Sequence, residues 1–162
     1  MFYVAPETHI ERRLKEIPGL DCITADIAED RAMMRVDITN ISFADSTFDV
    51  IYCSHVLEHI QEDRQAMVEL YRILKPGGWA VLQVSITSDV TIEDASVTDP
   101  GEREKLFGQA DHVRRYGPDY KERLAQAGFR LRSSHALDIA DTAECVKMGL
   151  MKDDEIFFCV KE

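Results

Sequence analysis

FDVIYCSHVLEHIQEDRQAMVELYRILKPGGWAVLQVS, residues 48–85, sets the architecture of the chain. Phe48 to Cys53 is a short apolar run with the length and β-branched content of a buried strand. A polar loop follows, carrying Ser54, His55, Glu58 and His59. Met67, Leu70, Tyr71 and Leu74 then recur at i, i+3, i+4 and i+7, which marks one face of a helix. Pro76-Gly77-Gly78 stops that helix, because proline cannot continue it and the glycines permit a sharp turn. Trp79 to Val84 reads as a second buried strand. Strand, helix and strand in so short a span form a βαβ crossover, which makes the two strands parallel neighbours. Polar residues cluster at the C-terminal end of each strand, the edge where open parallel sheets bind small molecules.

Outward from this unit, the pattern repeats toward the N-terminus. Phe2 to Ala5 is a first strand, and Ala5-Pro6-Glu7-Thr8 turns the chain. Thr8 followed by Glu11 has the spacing of a capping box, and Ile10, Leu14 and Ile17 give the helix an apolar stripe ended by Pro18-Gly19. Asp21 to Ile27 is a second strand, Arg35 to Ile38 a third, and Phe43 in the following loop is placed to plug the core. Toward the C-terminus, residues 86–117 are polar and contain Pro100-Gly101, with helical character only around Glu102 to Phe107. A loop of that length in a compact domain is usually functional, so it reads as a lid-like insertion. Pro118 to Ala127 is helical, with Gly128 as its C′ residue; Phe129 to Leu137 and Ile156 to Val160 are the last strands. Asp138 to Asp154 has no clear period and reads as loop with at most one helical turn. The expectation is one α/β domain over residues 1–162, doubly wound, with an antiparallel last strand because no confident helix separates the final two.

Composition narrows the function classes. At 162 residues with 45% hydrophobic and 30% charged, the chain is long enough to bury a core and too apolar for wholesale disorder. A formal charge of −11 argues against a nucleic-acid surface, which needs clustered Lys and Arg. No apolar run reaches the roughly 20 residues that span a bilayer, and MFYVAPETH lacks the features of a signal peptide, so the expected setting is the cytoplasm, away from membranes. Cys22, Cys53, Cys145 and Cys159 form no Cys-x-x-Cys pair and read as reduced, packed thiols.

The run FDVIYCSHVLEHI…AMVELYRILKPGGWAVLQV, with RVDITNISFADSTFDV before it and GFRL after it, resembles class I S-adenosylmethionine-dependent methyltransferases, specifically the methyltransferase type 11 branch. The resemblance implies a Rossmann-like, mostly parallel seven-stranded sheet with an antiparallel last strand, and S-adenosylmethionine as cofactor. Carried over by position, Asp26 matches the acidic residue that accepts the ribose hydroxyls. Asp37 and Ile38 match the pair that meets the adenine, and Ser54, His55 and Val56 the segment along the methionine. Both aspartates also suit ordinary capping of strand-end amides. Ala5-Pro6-Glu7 stands where relatives have a glycine-rich turn, and Glu7 is placed to pair with the cofactor's ammonium group. Relatives usually carry residues ahead of the first strand, whereas this sequence opens on it.

Methyl transfer from a sulfonium is a direct displacement, so alignment and exclusion of water can supply most of the catalysis, up to ~7–11 kcal/mol. A base is needed only where the acceptor must lose a proton. His55, His59 and, from the insertion, His112 are the candidates for that role. Asp111, Arg114, Arg115 and Tyr116 beside His112 point to contact with something polar. No metal is expected, since His55, Glu58 and His59 have no evident third partner. Two functions fit: a methyltransferase acting on a small-molecule acceptor, or a non-catalytic methyltransferase-like binding or partner domain that has lost strong cofactor binding. A nicotinamide-dependent reductase is disfavoured, because no Gly-x-Gly-x-x-Gly follows the first strand. Oligomeric state is not readable.

Overall fold

The computed structural model describes residues 1–28, 30–148 and 155–162. Its main sheet is built from β1 (Phe2–Val4), β2 (Ile23–Asp26), β3 (Met34–Arg35), β4 (Phe48–Ser54), β5 (Leu74–Gln83), β8 (Arg130–His135) and β9 (Glu155–Val160), in the order β3-β2-β1-β4-β5-β9-β8. β1 pairs in parallel with both β2 and β4, and β2–β3 and β4–β5 are parallel as well. β9 runs antiparallel to β5 and to β8. The α/β, doubly wound, seven-stranded arrangement with an antiparallel last strand is therefore as expected. The chain travels outward from β1 to β3 and then jumps back across β1 to β4. That reversal splays the loops leaving β1 and β4, opening the crevice in which such sheets bind ligands.

The core lies on both faces of the central strands. All of β1 is buried, as are Ile51, Cys53, Ala80 and Leu82 from its neighbours. Helix α2 (Asp63–Ile73) buries Ala66, Met67, Leu70 and Ile73; of the predicted stripe Met67 and Leu70 are among them, Tyr71 is half-buried, and Leu74 is buried as the first residue of β5. Phe43 does plug the core, its ring 5.8 Å from that of Phe2 and 5.0 Å from that of Phe48. Gly128 has φ 107°, as its C′ position after α4 (Tyr120–Gln126) requires.

Several local readings are corrected. Helix α1 (Thr8–Lys15) is capped at Glu7 with no side-chain hydrogen bond, so Thr8 is its first helical residue and the capping box does not form. The helix buries none of its residues, and Ile17 beyond its end stays 50% exposed. β5 begins at Leu74, ahead of Pro76-Gly77-Gly78, with an irregular register against β4 between Phe48 and Val50. Where loop was expected after β8, α5 (Ala136–Ile139) and α6 (Thr142–Met148) form; residues 149–154 of that stretch lie outside the described residues.

The insertion has structure of its own. Asp99 caps α3 (Pro100–Phe107) by accepting from the Glu102 amide at 3.0 Å. β6 (Ile92–Glu93) and β7 (Arg114–Arg115) form a short antiparallel ladder. Arg114 is 2% exposed and points inward, not toward a foreign partner. Its guanidinium donates to the carbonyls of Leu57 (3.0 Å), Ile60 and Gln61 (2.8 Å) and to Glu93 Oε2 (3.0 Å). Arg123 joins Glu93 to the buried Asp63, and the Tyr116 hydroxyl donates to Asp63 Oδ2 at 2.7 Å. Hydrogen bonds from Arg123 and Arg114 hold the Glu93 carboxyl down to about 2, against the opposing effect of burial. The polar cluster that the sequence assigned to an external contact is thus largely an internal rivet.

Removing one member of such a buried ion cluster leaves uncompensated charge, so Asp63→Ala is expected to cost about 3–5 kcal/mol of stability. Tyr116→Phe removes a single hydrogen bond and is expected to cost roughly 1–2 kcal/mol. Urea unfolding followed by circular dichroism gives both values. An Asp63→Ala loss below ~1 kcal/mol would remove the rivet from the account.

Candidate functional site

Two strand tips shape the site. β1 ends at Val4 and β4 at Ser54, and the next residue in each case, Ala5 (φ 50°) and His55 (φ 53°), is left-handed. The amide of Ala5 donates to Ala25 O at 2.8 Å and that of His55 to Gln83 O at 2.9 Å, so each tip stays tied to a neighbouring strand while the chain turns away. A left-handed conformation costs an L-residue roughly 1–2 kcal/mol, which is why glycine is the usual occupant. Ala5 therefore adopts a backbone shape that glycine takes most readily. Pro6 has no N–H, and the Glu7 amide donates to the Tyr3 hydroxyl at 2.9 Å, so no amide from Ala5 to Glu7 is left for a ligand.

Between the tips lies a cleft of about 610 Å³. Of the residues singled out in the sequence, Ala5, Asp26, Asp37, Ile38, His55, Val56 and His59 line it. Asp26 Oδ1 accepts the Ala28 amide at 2.9 Å, and Asp37 Oδ1 accepts the Thr39 amide at 2.9 Å. Each carboxylate thus caps its own turn while lining the cleft, and the two uses coexist because a carboxylate has two oxygens. Pro6, Glu7 and Ser54 are not among the lining residues; Glu7 instead lies 3.4 Å from His9. His112 stands just behind, its ring 4.7 Å from that of His59. The sequence reading passed over Ile27, Arg31 and Val36, which complete the wall beside Asp26 and Asp37. Their one signal was position, within a residue or a few of a strand end.

Glu58 orders the β4 side of the cleft. It is 2% exposed, and Oε1 accepts the Ser85 amide at 3.0 Å and lies 3.5 Å from His55 Nδ1. Oε2 is buried with no hydrogen-bond partner among the described residues. The Glu58 hydrogen bond raises His55 above its ordinary 6.5, with burial opposing. Burial pushes the Glu58 carboxyl up, but hydrogen bonds from His55 and Ser85 outweigh it and leave the group below its usual range. His55 is accordingly a tethered imidazole at the cleft mouth. Cys53, one residue inside the strand, is no nucleophile, since burial drives its thiol far above the ordinary value.

Residues 9–82 match the family model described as a methyltransferase domain. An arsenite methyltransferase of Aquipseudomonas alcaligenes is 28% identical over 116 residues, 70% of this chain and 32% of the relative. The chain thus spans about a third of that relative's length. Among solved structures, an S-adenosylmethionine-dependent methyltransferase of Mesorhizobium loti superposes with a TM-score of 0.65 at 14% identity, over 98% of this chain and 89% of the other. The [4+2]-cyclase SpnF superposes with a TM-score of 0.67 at 15% identity, over 99% and 74%. These superpositions show the fold that the resemblance implies, and the family-model match falls on the stretch that carries the resemblance.

The His55–Glu58 pair sets a pH signature. A raised histidine contributes stability that is complete below its unfolded value of 6.5 and is lost as pH rises through the folded value. The lowered carboxyl contributes above its unfolded 4.5 and is lost as pH falls through its folded value. His55→Ala should therefore destabilise the protein more at about pH 5.5 than at about pH 8.5 in denaturant unfolding. Equal losses at both values would mean that the pair is not an ion pair.

Proposed function

We propose, from the match of residues 9–82 to the methyltransferase-domain family model, that this protein transfers a methyl group from S-adenosylmethionine to a small-molecule acceptor. The observation that carries the reading is the convergence of Asp26, Asp37 and Ile38 on one cleft at the β1/β4 reversal. The donor set suits the cofactor. A carboxylate after β2 accepts a pair of hydroxyl donors, and a carboxylate beside the apolar Val36 and Ile38 accepts an exocyclic amine against a flat apolar wall. The volume is within the range of small-molecule sites. When bound, the cofactor supplies an electrophilic methyl group whose leaving sulfur is already activated.

The chain's own contribution is then alignment, dryness and proton handling. Val56 and His55 present the β4 tip to the methionine end, and Leu57 beneath them is wholly buried. His55, tethered by Glu58, can take a proton from an acceptor hydroxyl or thiol, and it does so only when neutral, above its raised pKa. The insertion of residues 86–117 serves as the lid on the acceptor side: Asp111 reaches the cleft, and Arg114 fixes the lid to the loop below. No residue cluster in the cleft names the acceptor.

A second reading draws on the β1 turn. With the amides of Ala5 and Glu7 already paired and Pro6 lacking one, the turn offers less to a cofactor than a glycine-rich turn does. A methyltransferase-like binding domain with weak or no cofactor affinity follows from that, and SpnF illustrates that the fold is not confined to proteins called methyltransferases.

Calorimetric titration with S-adenosylmethionine separates the two. Expected is micromolar binding, weakened roughly 10–100-fold by Asp26→Ala, the loss of charge-assisted hydrogen bonds of about 1.5–3 kcal/mol. Absence of heat at millimolar cofactor would favour the binding-domain reading.

A further inference from the structure

At the edge of the cleft, the structure assembles His59, Asp111 and His112 where the insertion meets the turn Leu57–His59. Their ligating atoms all lie within 4.8 Å of one another. We propose that these three side chains form a site for a divalent transition-metal ion of the zinc class, with the fourth coordination position open toward the cleft. The sequence concealed it, because the histidines of Ser54–His59 lack a third partner locally and the missing ligands come from the far end of the insertion.

The geometry argues for an ion rather than a simple ion pair. His59 Nδ1 and Asp111 Oδ2 are 3.3 Å apart, longer than the ~2.7–2.9 Å of a charge-assisted hydrogen bond. Ligands at roughly 2.0–2.1 Å around a tetrahedral zinc stand about 3.3–3.4 Å from each other, the spacing of the His59–Asp111 pair, and His112 lies within 4.8 Å of both. The His112 ring is held as metal-bound histidines usually are: Nδ1 lies 3.3 Å from the Phe107 carbonyl at the end of α3. Donation to that carbonyl places the proton on Nδ1 and leaves Nε2 with a free lone pair. Both imidazoles are partly buried, with their rings edge-to-face at 4.7 Å. Two nitrogens and one carboxylate oxygen are the donors zinc favours, and three protein ligands with an open fourth position are the pattern of a site that takes a further ligand. His59 and Asp111 line the cleft, so that position receives water or an oxygen or sulfur ligand held there. Bound metal would join the lid to the turn after β4 by coordinate bonds.

The test uses the full chain, stripped with a chelator and titrated with Zn²⁺ alone against a colorimetric zinc indicator. The expected result is one ion per chain. His59→Ala and His112→Ala should each weaken it at least ~100-fold, the upper end of what losing a mere outer partner costs. Asp111→Asn, at an exposed position, gives a further measure if either histidine variant misfolds by circular dichroism, and should weaken binding at least ~10-fold. His9→Ala, an exposed histidine on α1, should leave binding unchanged. Failure of the wild type to compete with the indicator, or wild-type affinity in the His59, His112 and Asp111 variants, overturns the site. Because no S-adenosylmethionine is present, the outcome is independent of the cofactor titration.

Discussion

The arrangement depends on one buried guanidinium. Arg114 donates to three carbonyls of the loop after β4, those of Leu57, Ile60 and Gln61, of which Leu57 also accepts the Ile60 amide at 3.4 Å. A charged group at 2% exposure persists only if it is compensated, and Glu93 with Asp63 supplies the opposite charge. The consequence reaches the site directly, because the loop so held carries Glu58 and His59. The Val113 amide adds a bond to the Glu58 carbonyl at 2.9 Å, so the insertion and the loop are one packed unit.

The second constraint is backbone shape at two adjacent strand tips. Ala5 and His55 both turn left-handed beside the same cleft, in a conformation most side chains avoid. Strain of this kind survives where surrounding structure over-determines it, and here the bonds from Ala5 to Ala25 and from His55 to Gln83 do so. The turn after β1 thus reaches a left-handed shape without glycine, and it lacks an amide donor at Pro6.

Much of the fold was legible because buried parallel strands and an amphipathic helix leave periodic signals, as Phe48–Ser54 and Met67–Ile73 do. Asp26 and Asp37 were legible through position at strand ends. What escaped has no local signal. β6 and β7 are two residues each, too short for any period, and their pairing joins residues on either side of α3. The inward role of Arg114 depends on carbonyls distant in sequence, as does the meeting of His59 with His112. The capping box at Thr8 failed because the helix takes Thr8 as its own first turn after the Pro6 bend, which leaves the hydroxyl outside the capping geometry.

The position of β9 carries one more consequence. It follows every other strand along the chain yet lies inside the sheet, between β5 and β8. During synthesis, β5 therefore presents an unsatisfied edge, and β8 has no sheet to join, until residues 155–160 leave the ribosome. The half of the molecule bearing β1 to β4 can assemble early, whereas the other half closes in a late, long-range step. Nascent chains of this topology spend that interval with a sticky ribbon uncovered, a natural client state for holding chaperones.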